Sequence, residues 1–136
     1  MTPAYKPDSY PSVSAYLVVE GAAAEIEFLR DVFGATPLRC TTLPNGRIGH
    51  GEVRIDDTVV MLSDAMEGWP ALASNLHVYV ADVDAIYQRA LAAGATALQP
   101  PKQRPGDEDR RGGFVSPRGI SWWVATQVGL PQTAGG

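Results

Sequence analysis

The 136-residue chain has a single cysteine, Cys40, so no internal disulfide can form and nothing calls for an oxidising compartment. With no His close in sequence, that thiol reads as a small apolar residue buried near a strand, not as a nucleophile. Net charge is −4 and no Lys/Arg stripe is present, which argues against a phosphate-backbone partner, so no nucleic acid is expected. No stretch approaches about 18 apolar residues, and the opening Met1-Thr-Pro-Ala-Tyr-Lys-Pro has no apolar run. No membrane partner and a cytoplasmic location are therefore expected. Gly-x-Gly-x-x-Gly, a P-loop and a Ser nucleophile elbow are all missing, and no cofactor is expected.

What is present is a globular composition, 45% hydrophobic and 8% aromatic, in a chain long enough for one self-sufficient core. Pro3, Pro7 and Pro11 mark residues 1–12 as an extended N-terminal arm, and residues 129–136 read as a flexible tail. The segment between them repeats. Ser14-Ala-Tyr-Leu-Val-Val-Glu-Gly, a helical stretch over 22–33 and Gly34-Ala-Thr-Pro-Leu are matched later in the chain. Their counterparts are Asn75-Leu-His-Val-Tyr-Val-Ala-Asp, a helical stretch over 83–93 and Gly94-Ala-Thr-Ala-Leu. Gly34 and Gly94 stand where a helix C-terminus needs a positive φ. Ile26, Leu29, Val32 and Phe33 form one amphipathic face; Val83, Ile86, Tyr87, Ala90 and Leu91 form the other. Further strands are expected at 38–43, 49–55 and 58–63, and again at 97–99, 113–116 and 121–126. Asn45-Gly46, Asp56-Asp57 and Pro117-Arg118-Gly119 supply the turns. The count is βαβββ twice, an α+β fold with modules over about 13–64 and 75–128 joined by a link containing Gly68-Trp69-Pro70. The proline-rich run 100–106 is expected to be a loop, and the mixed-sign cluster Asp107–Arg111 a solvated one.

Four pieces carry a family resemblance: Tyr16-Leu-Val-Val-Glu-Gly with Glu25-Ile-Glu-Phe-Leu-Arg-Asp-Val-Phe-Gly; His50-Gly-Glu-Val-Arg-Ile-Asp-Asp-Thr-Val-Val-Met-Leu-Ser-Asp-Ala; Leu76-His-Val-Tyr-Val-Ala-Asp-Val-Asp-Ala; and Ser116-Pro-Arg-Gly-Ile-Ser-Trp-Trp. In this order they resemble the vicinal oxygen chelate superfamily of glyoxalases, bleomycin-resistance proteins and extradiol dioxygenases, and more narrowly its PhnB-like branch. The resemblance implies half-barrel sheets with helices outside and a concave pocket, commonly in a homodimer. It also implies a divalent ion held by His or Glu from the first and last strand of each half. Those positions fall on Ser14, on Met61 to Ser63, on Asn75 and on Trp123, which are poor ligands, so no metal is expected. A displaced site built from His50, Glu52 and His77 is the alternative weighed against that expectation.

Strand alternation places Leu76, Val78 and Val80 under one helix and Ala15, Leu17 and Val19 under the other. Asn75, His77 and Tyr79, with Ser14, Tyr16 and Val18, are then expected on the opposite faces. His50 and Glu52 share a face, and a hydrogen-bonded pair is their plain reading; acid–base use is the sharper one. Tyr16, Tyr79 and Trp123, with Trp69 from the link, suit stacking on a flat ligand or, alternatively, plugging of a closed core. Trp122, of opposite parity, is assigned to the core. Arg54 and Arg118 are expected near the rim, and solvation is favoured over ligand pairing for both. The expected ligand-binding set is Tyr16, His50, Glu52, Trp69, His77, Tyr79 and Trp123. The first reading is a metal-free protein that sequesters a small aromatic or amphipathic metabolite or antibiotic. The second is a metal-free isomerase or lyase that uses His50, Glu52 or His77 as acid and base. The third is a metal-dependent glyoxalase or dioxygenase.

Overall fold

A computed structural model describes residues 2–130; the expected tail lies outside the described residues from 131 onward. The chain divides into two compact units, Met1–Leu72 and Ala73–Gly136. The first contains β1 (Tyr16–Val19), α1 (Ala22–Phe33), β2 (Thr36–Thr42), β3 (Ile48–Ile55) and β4 (Thr58–Asp64). The second repeats the order with β5 (Ser74–Tyr79), α2 (Val83–Ala92), β6 (Thr96–Gln103), β7 (Asp109–Val115) and β8 (Ile120–Gln127). Each unit is a four-stranded mixed sheet, β1-β4-β3-β2 in one and β5-β8-β7-β6 in the other. The first strand pairs parallel with the last and the other pairings are antiparallel.

The helices begin and end for identifiable reasons. Gly34 closes α1 at φ 67°, in the left-handed region, and its N–H returns to the Arg30 carbonyl. At the other end Gly21 offers no side-chain cap, and Asp64 on β4 supplies it: Oδ1 accepts from the Gly21 and Ala22 N–H groups, both at 2.9 Å. Asp64 Oδ2 accepts from Ile48 N–H at 2.8 Å, so one buried carboxylate ties α1 to two strands. Burial alone would raise its carboxyl; the three N–H donors and nearby Arg47 outweigh that and hold it below the usual carboxylate range. In the second unit Asp82 caps α2 through Ala85 N–H, and Thr126 Oγ accepts from Val83 N–H.

The strand rows show which face each helix covers. A Cβ added to Gly51 would meet Ile26 of α1 at 3.2 Å, so Gly51 faces the helix. Gly51 pairs with Leu62, and Leu62 with Leu17, which puts that row beneath α1 together with Phe28, Leu29 and Val32. Ala22 and Glu25 complete the buried face of α1, and Ile26 and Phe33 lie at its margin. In the second unit Trp122 is fully buried in the row Leu76–Trp122–Phe114, and Ile86, Tyr87 and Ala90 are the buried face of α2.

Three sequence expectations need correction. Cys40 is exposed, because β2 is an outer strand with a register irregularity between Pro37 and Cys40 and is open along most of its length. The run 100–103 is strand, not loop. As an outer strand β6 tolerates Pro100 and Pro101 where the register shifts between Gln99 and Lys102, so a missing N–H breaks no continuous ladder. The cluster Asp107–Arg111 runs into β7, and Asp109 within it is buried.

Candidate functional site

The side chains adjoining Gly51 point away from α1, and they include both members of the His50–Glu52 pair. Glu52 is 3% exposed. Its Oε2 lies 2.8 Å from His50 Nε2, and its Oε1 accepts the Tyr10 hydroxyl at 2.6 Å. Desolvation pushes this carboxyl up, but hydrogen bonds from Tyr10 and His50 and the charges of His50 and Arg39 outweigh it and hold the group below its ordinary value. An ionised carboxylate accepts only, so His50 Nε2 is the donor, and in the neutral ring Nδ1 is left as an acceptor. The Tyr16 hydroxyl stands 3.4 Å from that Nδ1. Tyr16, Met61 and Glu52 form one cross-strand row over β1, β4 and β3, which explains how residues from three strands meet.

The link folds over the end of this face. Trp69 Nε1 donates to Ser63 Oγ at 2.9 Å, and the indole meets Tyr16 edge to face with centroids 6.0 Å apart. Tyr16 is 41% and Trp69 46% exposed, so both keep ring surface available. The N-terminal arm also lies against this unit. The Tyr10 ring has the Arg39 guanidinium at 5.5 Å and that of Arg54 at 5.8 Å, and Arg54 Nη1 donates to the Ser9 carbonyl at 2.8 Å. The Tyr10 phenol is raised above its usual value by its bond to Glu52, so it is a donor at neutral pH.

In the second unit Asn75, His77 and Tyr79 are exposed, whereas Leu76 and Val78 are half-buried. His77 Nε2 is 2.6 Å from Arg111 Nη1. Burial first, and the Arg111 charge second, hold His77 below its usual value. The guanidinium can only donate, so Nε2 is the acceptor and is already engaged. Arg111 also binds Asp109 at 2.8 Å and Asp107 at 3.4 Å. Tyr79 donates to Asp109 at 2.7 Å and meets His77 edge to face at 4.8 Å. Trp123 Nε1 donates to Asn75 Oδ1 at 3.1 Å, and the indole walls a pocket of about 280 Å³ with Gln99, Arg104, Asp107 and Arg111.

His50 and Glu52 are thus brought together with Tyr16 and Trp69 in one unit; His77, Tyr79 and Trp123 share the sheet face of the other. Sequence reasoning missed Tyr10, Arg39, Asp109 and Arg111. Alternation along β7 would have found Arg111 beside Asp109 and Gly113 had that segment been taken as strand. Nothing periodic announces Tyr10, which reaches Glu52 across 42 residues. Among the described residues, no three His, Cys, Asp or Glu side chains gather so as to hold a metal ion. No helix in the described residues is long and apolar enough to cross a membrane.

A family model, the Glyoxalase/Bleomycin resistance protein/Dioxygenase superfamily, matches residues 12–124. An uncharacterized protein of Mycobacterium tuberculosis is 34% identical over 132 residues, covering 87% of this chain and 75% of that protein. Among solved structures, TioX from Micromonospora sp. ML1 superposes with a TM-score of 0.68 at 22% identity, over 85% of this chain and 99% of that one. A PhnB protein from Bacillus cereus gives 0.68 at 16% identity, over the same 85% and 99%. At those identities the two structural likenesses speak to the fold alone.

Proposed function

The chain belongs to the glyoxalase/bleomycin resistance protein/dioxygenase superfamily, and from that premise we propose that it is a metal-free protein that binds a small aromatic or amphipathic molecule. The observation that carries this reading is the Tyr16–Trp69 edge-to-face pair, half open to solvent beside the buried His50–Glu52 pair. Exposed rings at right angles offer both a stacking surface and a wall, and one fixed polar pair can orient what lies between them. Trp123, His77 and Tyr79 are proposed as further ligand contacts on the second unit. The positions where relatives of this superfamily carry metal ligands support the metal-free reading. Met61 offers a thioether, Trp123 an indole, and the Asn75 oxygen is already bonded to that indole. We also propose a cytoplasmic location, and a homodimer because β1 and β2, and β5 and β6, are the outermost strands of their sheets among the described residues.

Titration of tryptophan fluorescence with a panel of planar aromatic compounds tests the reading. Saturable quenching is expected, with affinity weakened by about 1–3 kcal/mol in Trp69→Ala. No response from any member of the panel refutes it. The Tyr16–His50–Glu52 chain favours a second reading, an isomerase or lyase. Glu52 holds His50 Nε2, so Nδ1, whose partner is the Tyr16 hydroxyl at 3.4 Å, would take a proton from a substrate carbon once Tyr16 turns to steady the developing oxygen charge. Under it, His50→Ala abolishes turnover while changing ligand affinity little.

A further inference from the structure

We propose that Tyr10 is an internal occupant of a hydroxyaryl-binding subsite on the first unit, and that a free phenol-bearing ligand takes the same place by displacing the N-terminal arm. This rests on the reading that the face binds small aromatic molecules, and it names their class. Glu52 is buried at 3% exposure, with one oxygen committed to His50 and the other bonded to the Tyr10 hydroxyl at 2.6 Å. A buried carboxylate oxygen that loses its donor carries the full desolvation cost of an unmet acceptor, so whatever replaces Tyr10 must bring a donor of its own. Arg39 and Arg54 stand 5.5 and 5.8 Å from the ring centroid, which suits an electron-rich π face. The features recognised, an acidic O–H on an aromatic ring, belong to the side chain of Tyr10 and not to its backbone.

The arm's attachment is otherwise slight. Arg54 reaches the Ser9 carbonyl, whereas the Tyr10–Pro7 and Lys6–Ser12 bonds lie within the arm itself. Tyr5 is 89% and Val13 84% exposed, so the segments on either side of Tyr10 contribute little apolar burial. Pro7 and Pro11 restrict the arm's conformations, which lowers the entropy lost when it docks. A tethered phenol of this kind acts at an effective concentration on the order of millimolar. A ligand that binds here must compete with it, so affinity rises when the tether's ring is removed.

The experiment uses the full chain as wild type, Tyr10→Ala and Tyr10→Phe, titrated calorimetrically with p-cresol and with 4-methylanisole, which has the ring without the donor. Tryptophan fluorescence is followed in parallel. Tyr10→Ala is expected to bind p-cresol about tenfold more tightly than wild type, with Tyr10→Phe between them. 4-Methylanisole is expected to bind Tyr10→Ala at least about tenfold more weakly than p-cresol does, because it cannot satisfy Glu52. In the wild type, saturating p-cresol is expected to speed amide hydrogen exchange over residues 5–12. Equal p-cresol affinity in all three proteins, or 4-methylanisole binding Tyr10→Ala as tightly as p-cresol does, overturns the proposal. If fluorescence is quenched equally in all three, the face still binds aromatics and only the role of Tyr10 fails. If no probe binds any of the three, both readings fail.

Discussion

The two units share one backbone plan and fill equivalent positions with opposite chemistry. Tyr16 pairs with Met61 and Met61 with Glu52; in the second unit His77 pairs with Trp123 and Trp123 with Gly113. The carboxylate of one unit therefore corresponds to a glycine in the other, and a thioether to an indole. A Cβ at Gly113 would collide with the Trp123 ring, so the bare backbone is what lets the indole lie across β7. His50 and Arg111 occupy matching places two residues earlier. One donates to a buried carboxylate, and the other carries its own charge between Asp107, Asp109 and His77. A duplicated fold conserves its rows and caps while the side chains of one row decide whether the face holds a polar pair or an aromatic plate.

The helix caps provide the sharpest break of this comparison. Asp64 and Thr126 are equivalent, each near the end of its unit's last strand and each capping a helix, but Asp64 takes three N–H donors where Thr126 takes one. Asp64→Ala is expected to cost about 3 kcal/mol, because three charge-assisted bonds are lost and the buried Ala22 and Ile48 N–H donors are left unmet. Thr126→Ala is expected to cost about 1 kcal/mol. Urea unfolding of both variants measures the gap; equal losses would show the caps to be interchangeable.

Filling the glycine is the next test. Gly113→Ala is expected to cost about 2 kcal/mol by overpacking against the indole. The same change in a Trp123→Ala background is expected to cost little, and the double-mutant cycle reads the coupling from thermal and urea midpoints. An additive result would mean that the indole moves aside freely and does not need the glycine.

The smallest effect is the response to acid, where the units should part company. Glu52 and Asp64 are held below their usual values, so their contribution is complete above about pH 4.5 and is lost as pH falls through the lowered values. His77 is also lowered, but for a base the sign reverses. The unfolded chain binds the proton first, so stability starts to fall as pH drops below about 6.5, with Arg111 opposing protonation and Asp109 favouring it. The urea midpoint is therefore expected to decline first as pH drops below about 6.5, ahead of the carboxylate loss. His77→Gln should remove that early limb and leave the steeper loss at lower pH.

Much of the fold was legible because its signals are local. The span 22–33 emerges from apolar spacing and a closing Gly34 and coincides with α1. The repeat of Gly-Ala-Thr after each helix announced the duplication. The failures are equally physical. Prolines at 100 and 101 argue against a strand only if the strand is central, and β6 is an outer one. The charges of Asp107–Arg111 look solvated when counted, yet Asp109 is buried because Arg111 and Tyr79 compensate it. The apolar character of Cys40 points inward only for a central strand, and its strand lies at the sheet's edge.

Alternation, helical spacing and turn residues depend on neighbours within a few positions, and from these the sequence alone determined two βαβββ modules and the shared face of His50 and Glu52. It could not decide what meets that face. The Tyr10 hydroxyl on Glu52 and the Asp64 carboxylate on α1 join residues about 42 positions apart. So does the pairing of His77 with Arg111, 34 positions apart. Such contacts follow from strand order and from the path of arm and link, which no local period encodes, so only the tertiary structure could assign them.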